Sequence, residues 1–231
     1  MLAFDRFTYL TFDCYGTLID WERGILDALR PLLDRHGATL SDDQILELFG
    51  EFEAAAEAGP YLPYRDVLAA VVDGFGARLG FTPTADERAS LAASVGDWPA
   101  FPDTVDALRS LARRYRLAIL SNVDDDLFAG SARRLGVDFA AVITAQQVGS
   151  YKPDRRNFRA ALARLDVPPD QVLHVGQSLF HDIAPAKELG LTTVWVNRRH
   201  DRPGFGATPP ATAQPDLEVP DLRTLARLTS E

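Results

Sequence analysis

The first apolar run of the chain, Tyr9-Leu10-Thr11-Phe12, stops at a carboxylate, Asp13, and Tyr15-Gly16-Thr17 follow it. Strand, polar residue, glycine turn is the pattern of a strand end that carries a site. Three later apolar runs end in the same way. Ser121-Asn122 follow residues 117–120, Lys152 comes shortly after Ala141–Thr144, and Gln177-Ser178 with Asp182 follow residues 171–175. One polar residue at a strand end means little; four successive sets, with a carboxylate and a lysine among them, specify a chemistry. A carboxylate is a weak nucleophile that needs an oriented, water-poor site and a cation to keep it ionised. Lys152 is the lysine placed to be that cation for Asp13. Thr17, Ser121 and Asn122 can donate hydrogen bonds to the carboxylate or to charge developing on a substrate. An ester formed on Asp13 would then be hydrolysed by water. Asp182 is expected to orient that water or to hold Lys152; its bland alternative is to stabilise a helix N-terminus.

These residues need a parallel sheet to gather them. Residues 117–120, Ala141–Thr144, residues 171–175 and Thr192–Val196 read as short apolar strands, with helices between them from Asp154 to Leu165 and from His181 to Leu189. Residues 215–219 offer one more short strand, and residues 198–214, rich in Pro, Gly and Thr, read as a loop. Apolar strands alternating with helices predict an α/β fold, a doubly wound parallel sheet covered on both faces. Ligands bind such sheets at the carboxyl ends of the strands, near the switch point. Between Trp21 and Trp98 the period becomes helical. Its stripes are Ile25, Leu26, Leu29, Leu32, Leu33, then Ile45, Leu48, Phe49, Phe52, then Val67, Leu68, Val71, Val72, Phe75. Ser41 and Thr84 open two of these helices as N-caps. The division expected is residues 1–20 and 99–231 as α/β core, with residues 21–98 inserted as an all-helical cap.

With 231 residues, 46% hydrophobic and 25% charged, the chain can bury a sizeable core. Its net charge of −9 argues against nucleic acid or an anionic membrane as partner. A single cysteine, Cys14, leaves no intrachain disulfide to form. The start of the chain lacks the apolar run of a signal peptide, so a cytoplasmic location is expected. Cys14 should turn away from Asp13 and pack in the core. His174 and His181 lack a third ligand at a metal-like spacing, so no metal site is expected from them.

Phe12-Asp13-Cys14-Tyr15-Gly16-Thr17-Leu18, Leu120-Ser121-Asn122, Tyr151-Lys152-Pro153-Asp154 and Gly176-Gln177-Ser178 with Asp182 resemble, in order, the four motifs of the haloacid dehalogenase superfamily. The resemblance implies that Asp13 is the nucleophile and that the site lies between core and cap. Phosphatases of that superfamily usually carry a second aspartate two residues after the nucleophile, where this chain has Tyr15, and a Mg²⁺-holding aspartate where it has Gln177. Both departures weaken protonation of a leaving alkoxide and the hold on Mg²⁺. Asp-x-Tyr-Gly-Thr instead resembles the (S)-2-haloacid dehalogenase branch, which works without metal or other cofactor. Its substrates are small carboxylic acids, and homodimers are common in it.

This chain also departs from that branch. Phe158 stands where a tyrosine is usual, and Gln177 and Leu179 where serine and asparagine are. Phe49, Gly50, Glu51 and Phe52 occupy the region of a cap arginine that binds the substrate carboxylate. Arg65 is the substitute expected from elsewhere in the cap, with a solvated helix face as its alternative; Arg198, Arg199 and His200, which follow a core strand end, are also placed to reach the cleft. Tyr15 is expected as a pocket wall, beside Gln177 and Ser178. The stretch from His174 to Asp182, with Asn197-Arg198-Arg199-His200, resembles a side branch that includes azetidine-2-carboxylate hydrolase, which opens a strained C–N ring. Halide displacement, C–N ring opening and a Mg²⁺-dependent phosphatase are thus the three chemistries in play.

Overall fold

The computed structural model describes residues 2–202, 204 and 206–230. Pro203 and Phe205, inside the expected loop, lie outside the described residues, as do Met1 and Glu231. Six parallel strands form one sheet in the order β3-β2-β1-β4-β5-β6. They are β1 (Tyr9–Phe12), β2 (Arg116–Ser121), β3 (Ala141–Thr144), β4 (Val172–Gly176), β5 (Thr192–Val196) and β6 (Leu217–Val219). The chain winds outward from β1 in one direction through β2 and β3, and in the other through β4 to β6. The switch point therefore lies between β1 and β4, where Phe12 pairs with Val175 and Asp13 N–H donates to Val175 O at 3.0 Å. β1 is buried at all four positions, as a strand covered on both faces must be.

Four helices make up the block that follows β1: α1 (Trp21–Arg35), α2 (Asp42–Glu57), α3 (Tyr64–Leu79) and α4 (Ala85–Ser94). Each of the expected N-caps forms a full capping box, Ser41 with Gln44 and Thr84 with Glu87, worth about 1 kcal/mol apiece. The expected stripes turn inward in the main, but Leu26, Leu48 and Phe52 are only partly buried, and on α2 Leu46 is buried in place of Leu48. Phe49, Val71 and Phe75 are completely inaccessible, and each large apolar side chain so buried contributes about 2 kcal/mol. The connections into and out of this block are tied to each other. Asp20 N–H donates to Pro99 O at 2.8 Å and Phe101 N–H to Leu18 O at 3.1 Å, while the Trp98 ring packs edge-on against Tyr15.

The remaining helices are α5 (Thr104–Leu111), α6 (Asp125–Leu135), the single turn α7 (Ala145–Val148), α8 (Arg155–Leu165), α9 (Ala184–Glu188) and α10 (Leu222–Leu228). The expected helix at 181–189 is not uniform. It opens as a π-helical turn, Leu179–Ile183, before α9. Pro185 has no N–H to bond back to His181, and π-turns of this kind recur at functional sites. Among the described residues no helix is long and apolar enough to cross a membrane.

Candidate active site

Asp13 leaves the end of β1 where Gly16, at φ +89°, turns the chain back, a conformation open to glycine without a Cβ penalty. That turn returns Thr17, whose hydroxyl donates to Asp13 Oδ2 at 2.6 Å and accepts the Gln177 backbone N–H at 2.9 Å. The ends of β1 and β4 are thereby joined through one hydroxyl. The other carboxylate oxygen, Oδ1, accepts from Lys152 Nζ at 2.9 Å. Lys152 donates also to Leu120 O at 2.9 Å and to Asp182 Oδ1 at 2.6 Å, so all three of its N–H groups are used. Its backbone is clamped by Asn122, whose amide accepts Lys152 N–H at 2.7 Å and donates to Lys152 O at 3.0 Å.

Asp182 reaches this centre because Gly176 lets it come close; a Cβ on Gly176 would stand 2.6 Å from the Asp182 side chain. Behind Asp182 lies His174, with Nε2 at 3.3 Å and its other ring nitrogen 3.0 Å from Thr11 Oγ1. Phe158 packs edge-on against the His174 ring. Burial opposes charge on Asp182, but Lys152, then His174, hold it well below the usual carboxylate range. Burial likewise opposes the Lys152 charge, and Asp13 and Asp182 together keep its pKa above the ordinary lysine value. Burial is the dominant influence on Asp13, raising its carboxyl above the ordinary value against the pull of Lys152 and Thr17. A carboxylate held against a charged lysine, in a largely buried cavity, is a competent carbon or phosphorus nucleophile.

The cavity above Asp13 holds about 40 Å³ of space open to water, room for a few waters or a very small ligand. From the core it is walled by Asp13, Tyr15, Ser121, Lys152, Gln177 and Ser178, and from the helical block by Trp21, Glu53, Glu57 and Tyr64. Ser121 lines the cavity, and its buried hydroxyl has no hydrogen-bond partner among the described residues. Ser178 caps the π-turn by accepting His181 N–H at 2.8 Å. The side-chain oxygen of Gln177 accepts from Thr208 at 3.3 Å. The Tyr15 ring forms a wall, while its hydroxyl meets Ser131 Oγ at 3.0 Å, and burial pushes its pKa far up. Cys14 is fully buried, its thiol pushed up by the same cause.

Four expected residues need correction. Arg65 does not line this cavity: its guanidinium is half-exposed on Asp126 at 2.5 Å and near Asp124 at 3.6 Å, because those acids stand at the start of α6 beside the start of α3. Arg198 braces the fold instead, donating to Asp103 at 2.7 Å and to Thr17 O at 2.8 Å over the face of Phe101. Arg199 is taken by Glu22 at 2.7 Å, and His200 lies exposed beside Asp201.

The sequence reading missed Glu53, Glu57 and Tyr64. A signal existed: the buried stripe of α2 runs Ile45, Phe49, Glu53, Glu57 in steps of four, so a helix face that is apolar at its start becomes acidic at its end. Tyr64 is fixed from the core. Asp124, fully buried after β2, accepts the backbone N–H of Tyr64 at 2.9 Å and of Arg65 at 3.1 Å, capping α3 where Pro63 cannot. Tyr64 then donates its hydroxyl to Glu53 Oε1 at 2.6 Å.

A family model for haloacid dehalogenase-like hydrolases matches residues 8–190. (S)-2-haloacid dehalogenase 1 of Pseudomonas sp. (strain CBS-3) is 27% identical over 227 residues, covering 94% of this chain and 96% of that protein. The phosphoserine phosphatase of Thermus thermophilus is 35% identical over only 129 residues, 54% of this chain and 49% of its own length. Among solved structures, the L-2-haloacid dehalogenase from Xanthobacter autotrophicus with chloropropionic acid covalently bound superposes with a TM-score of 0.80. It is 23% identical and covers 97% of this chain and 98% of that one, a likeness of fold.

Proposed function

The chain belongs to the haloacid dehalogenase-like hydrolase family, and from that premise we propose a metal-independent hydrolase that displaces a leaving group from C2 of a small carboxylic acid. The carrying observation is the pairing of Asp13 with Lys152 and Thr17 beside a Tyr15 hydroxyl that is turned away onto Ser131. An Asp13 oxygen attacks C2 and forms an ester; the C2–halogen electron pair leaves as halide, which needs no proton. Water then adds to the ester carbonyl, releasing the 2-hydroxy acid and restoring Asp13. Lys152 keeps Asp13 ionised, and Asp182 holds Lys152 and borders the space where that water must stand. Ser121 offers a free hydroxyl to the substrate, and Asn122 acts on Lys152 as a positioning residue. The helical block serves as a cap over Asp13.

A phosphatase mechanism fits less well. Mg²⁺ prefers hard anionic oxygens, but Asp182 Oδ1 is committed to Lys152 and His174, and Gln177 supplies no charge. Among the described residues no group of three or more His, Cys, Asp or Glu is arranged to hold a metal ion. The residues do not fit Mg²⁺.

A second reading, C–N ring opening in a strained cyclic amino acid, is favoured by the cap wall, which presents Glu53 and Glu57 where a carboxylate-binding arginine would serve a 2-halo acid. There the Asp13 oxygen bonds C2, the C–N pair goes to a nitrogen that was already protonated, and the resulting neutral amine stays tethered to the opened chain until water hydrolyses the ester and restores Asp13.

The test is halide release from both enantiomers of a panel of 2-halo acids in EDTA, followed by ion chromatography, with single turnover in ¹⁸O-water. Release that disappears in Asp13→Asn, with ¹⁸O recovered in the Asp13 carboxylate, is the expected result. Full turnover by Asp13→Asn would overturn the mechanism.

A further inference from the structure

Four carboxylates face the cavity, Asp13, Glu53, Glu57 and Asp182, against Lys152 as the sole lysine or arginine among its described lining residues. His181, also in the wall, is kept neutral at ordinary pH, because burial drives its pKa down to about 4. Lys152 is fully committed to Asp13, Asp182 and the Leu120 carbonyl. Among the described lining residues, the two cap acids thus have no uncommitted cation of the protein's own to face.

Glu53 and Glu57 stand one helical turn apart and therefore on the same face of α2. Glu53 is buried and receives the Tyr64 hydroxyl. Glu57 is half-buried and lines both this cavity and the wider groove that opens beside Tyr61, Tyr151 and Pro209. Lys152 and His181 line both spaces as well, and Glu57 is the acid the two share. A separate observation also points to an absent ligand: Ser121, 2% exposed, lines the same cavity, and its hydroxyl has no partner among the described residues.

We infer that Glu53 and Glu57 form a subsite for a protonated amine carried by the substrate, opposite Ser121 and Asp13. This rests on the proposed attack by Asp13 at carbon and deepens its second reading, by assigning the substrate class: small molecules bearing an ammonium group on or next to the reacting carbon. A carboxylate-only substrate entering the same space would meet two further acids with no free cation to receive it. Tyr64, by donating to Glu53, fixes that carboxylate's orientation and is a positioning residue.

Binding is measured on the Asp13→Asn protein, which removes turnover and one negative charge; Asp182 stays held by Lys152, and the cap's share of any remaining preference is read from the cap substitutions. Isothermal titration compares (S)-2-aminobutyrate with its near-isostere (S)-2-hydroxybutyrate. The amine should bind at least tenfold more tightly, and adding Glu57→Gln or Glu53→Gln should shrink that gap to under threefold. Glu57 is half-exposed, and the amide oxygen introduced by Glu53→Gln still accepts from Tyr64, so both variants keep the fold, which thermal melting verifies. Equal or tighter binding of the hydroxy acid, binding of neither compound, or a gap that survives both cap substitutions would overturn the subsite. None of these results touches the ester on Asp13, which ¹⁸O incorporation in the wild-type protein judges separately.

Discussion

Lys152 Nζ stands 2.6 Å from Asp182 Oδ1, nearer than the 2.9 Å that separates it from Asp13. The lysine is shared, and Asp182 fixes where its charge lies. Removing one partner of a buried pair leaves the other uncompensated, at a cost of about 3 kcal/mol or more. Asp182→Asn should therefore lower the melting temperature and reduce kcat by at least ~100-fold, the scale of a lost, well-placed acid–base or charge partner. Substrate KM should change much less. Unimpaired kcat in a folded variant would mean that Asp13 needs neither the held lysine nor a water oriented by Asp182.

The acid limb of the rate follows from Asp13. Attack needs the ionised carboxylate, and burial raises its pKa above the ordinary 3.8. Activity should thus be lost as pH falls through a midpoint higher than that of an exposed aspartate. On the alkaline side Lys152, raised above its ordinary 10.5 by Asp13 and Asp182, stays charged and should impose no limb below that value. A kcat/KM profile measures both. An acid midpoint at or below the ordinary aspartate value would show that Lys152 and Thr17 outweigh burial.

Much of the centre was legible because parallel sheets bring strand ends together. Asp13, Ser121, Lys152 and Asp182 lie far apart in the chain, yet each follows an apolar run, and the switch point gathers them. What the sequence hid was which partner each group takes. Nothing in the spacing shows that the Asn122 amide is spent on the Lys152 backbone, or that His174 backs Asp182 from inside β4. Arg65 was misplaced for the same reason: an arginine on a helix goes to whichever carboxylate the tertiary fold brings near, and here that is Asp126. Glu53 and Glu57 are readable as acids continuing the buried stripe of α2, but acids at the end of a helix do not by themselves mark a site.

Tyr15 separates wall from acid. Its hydroxyl is engaged 3.0 Å from Ser131 on α6, while the ring faces the cavity and the Trp98 edge. Tyr15→Phe should keep kcat within about threefold and cost about 1 kcal/mol of stability, the typical worth of one intramolecular hydrogen bond. Tyr15→Ala should fare worse on both counts, since it empties the wall. A hundredfold fall in kcat for Tyr15→Phe would give the hydroxyl a place in the chemistry.

Glu53 carries a prediction about stability and pH. Burial raises its pKa from 4.5 to about 7, against the hydrogen bond from Tyr64. Between those two values the unfolded chain has released the proton that the folded chain still holds. Folding therefore takes up a proton, and this residue's contribution falls as pH rises from about 4.5 to about 7, then levels off. The whole change is on the order of 3 kcal/mol. Glu53→Gln keeps an acceptor for Tyr64 but cannot ionise. Its melting temperature should be close to that of the wild type near pH 4.5 and exceed it by pH 8, with the gap opening across that window. A constant gap over the range would mean that Glu53 is charged in the fold at all these pH values, and that some compensating cation already faces it.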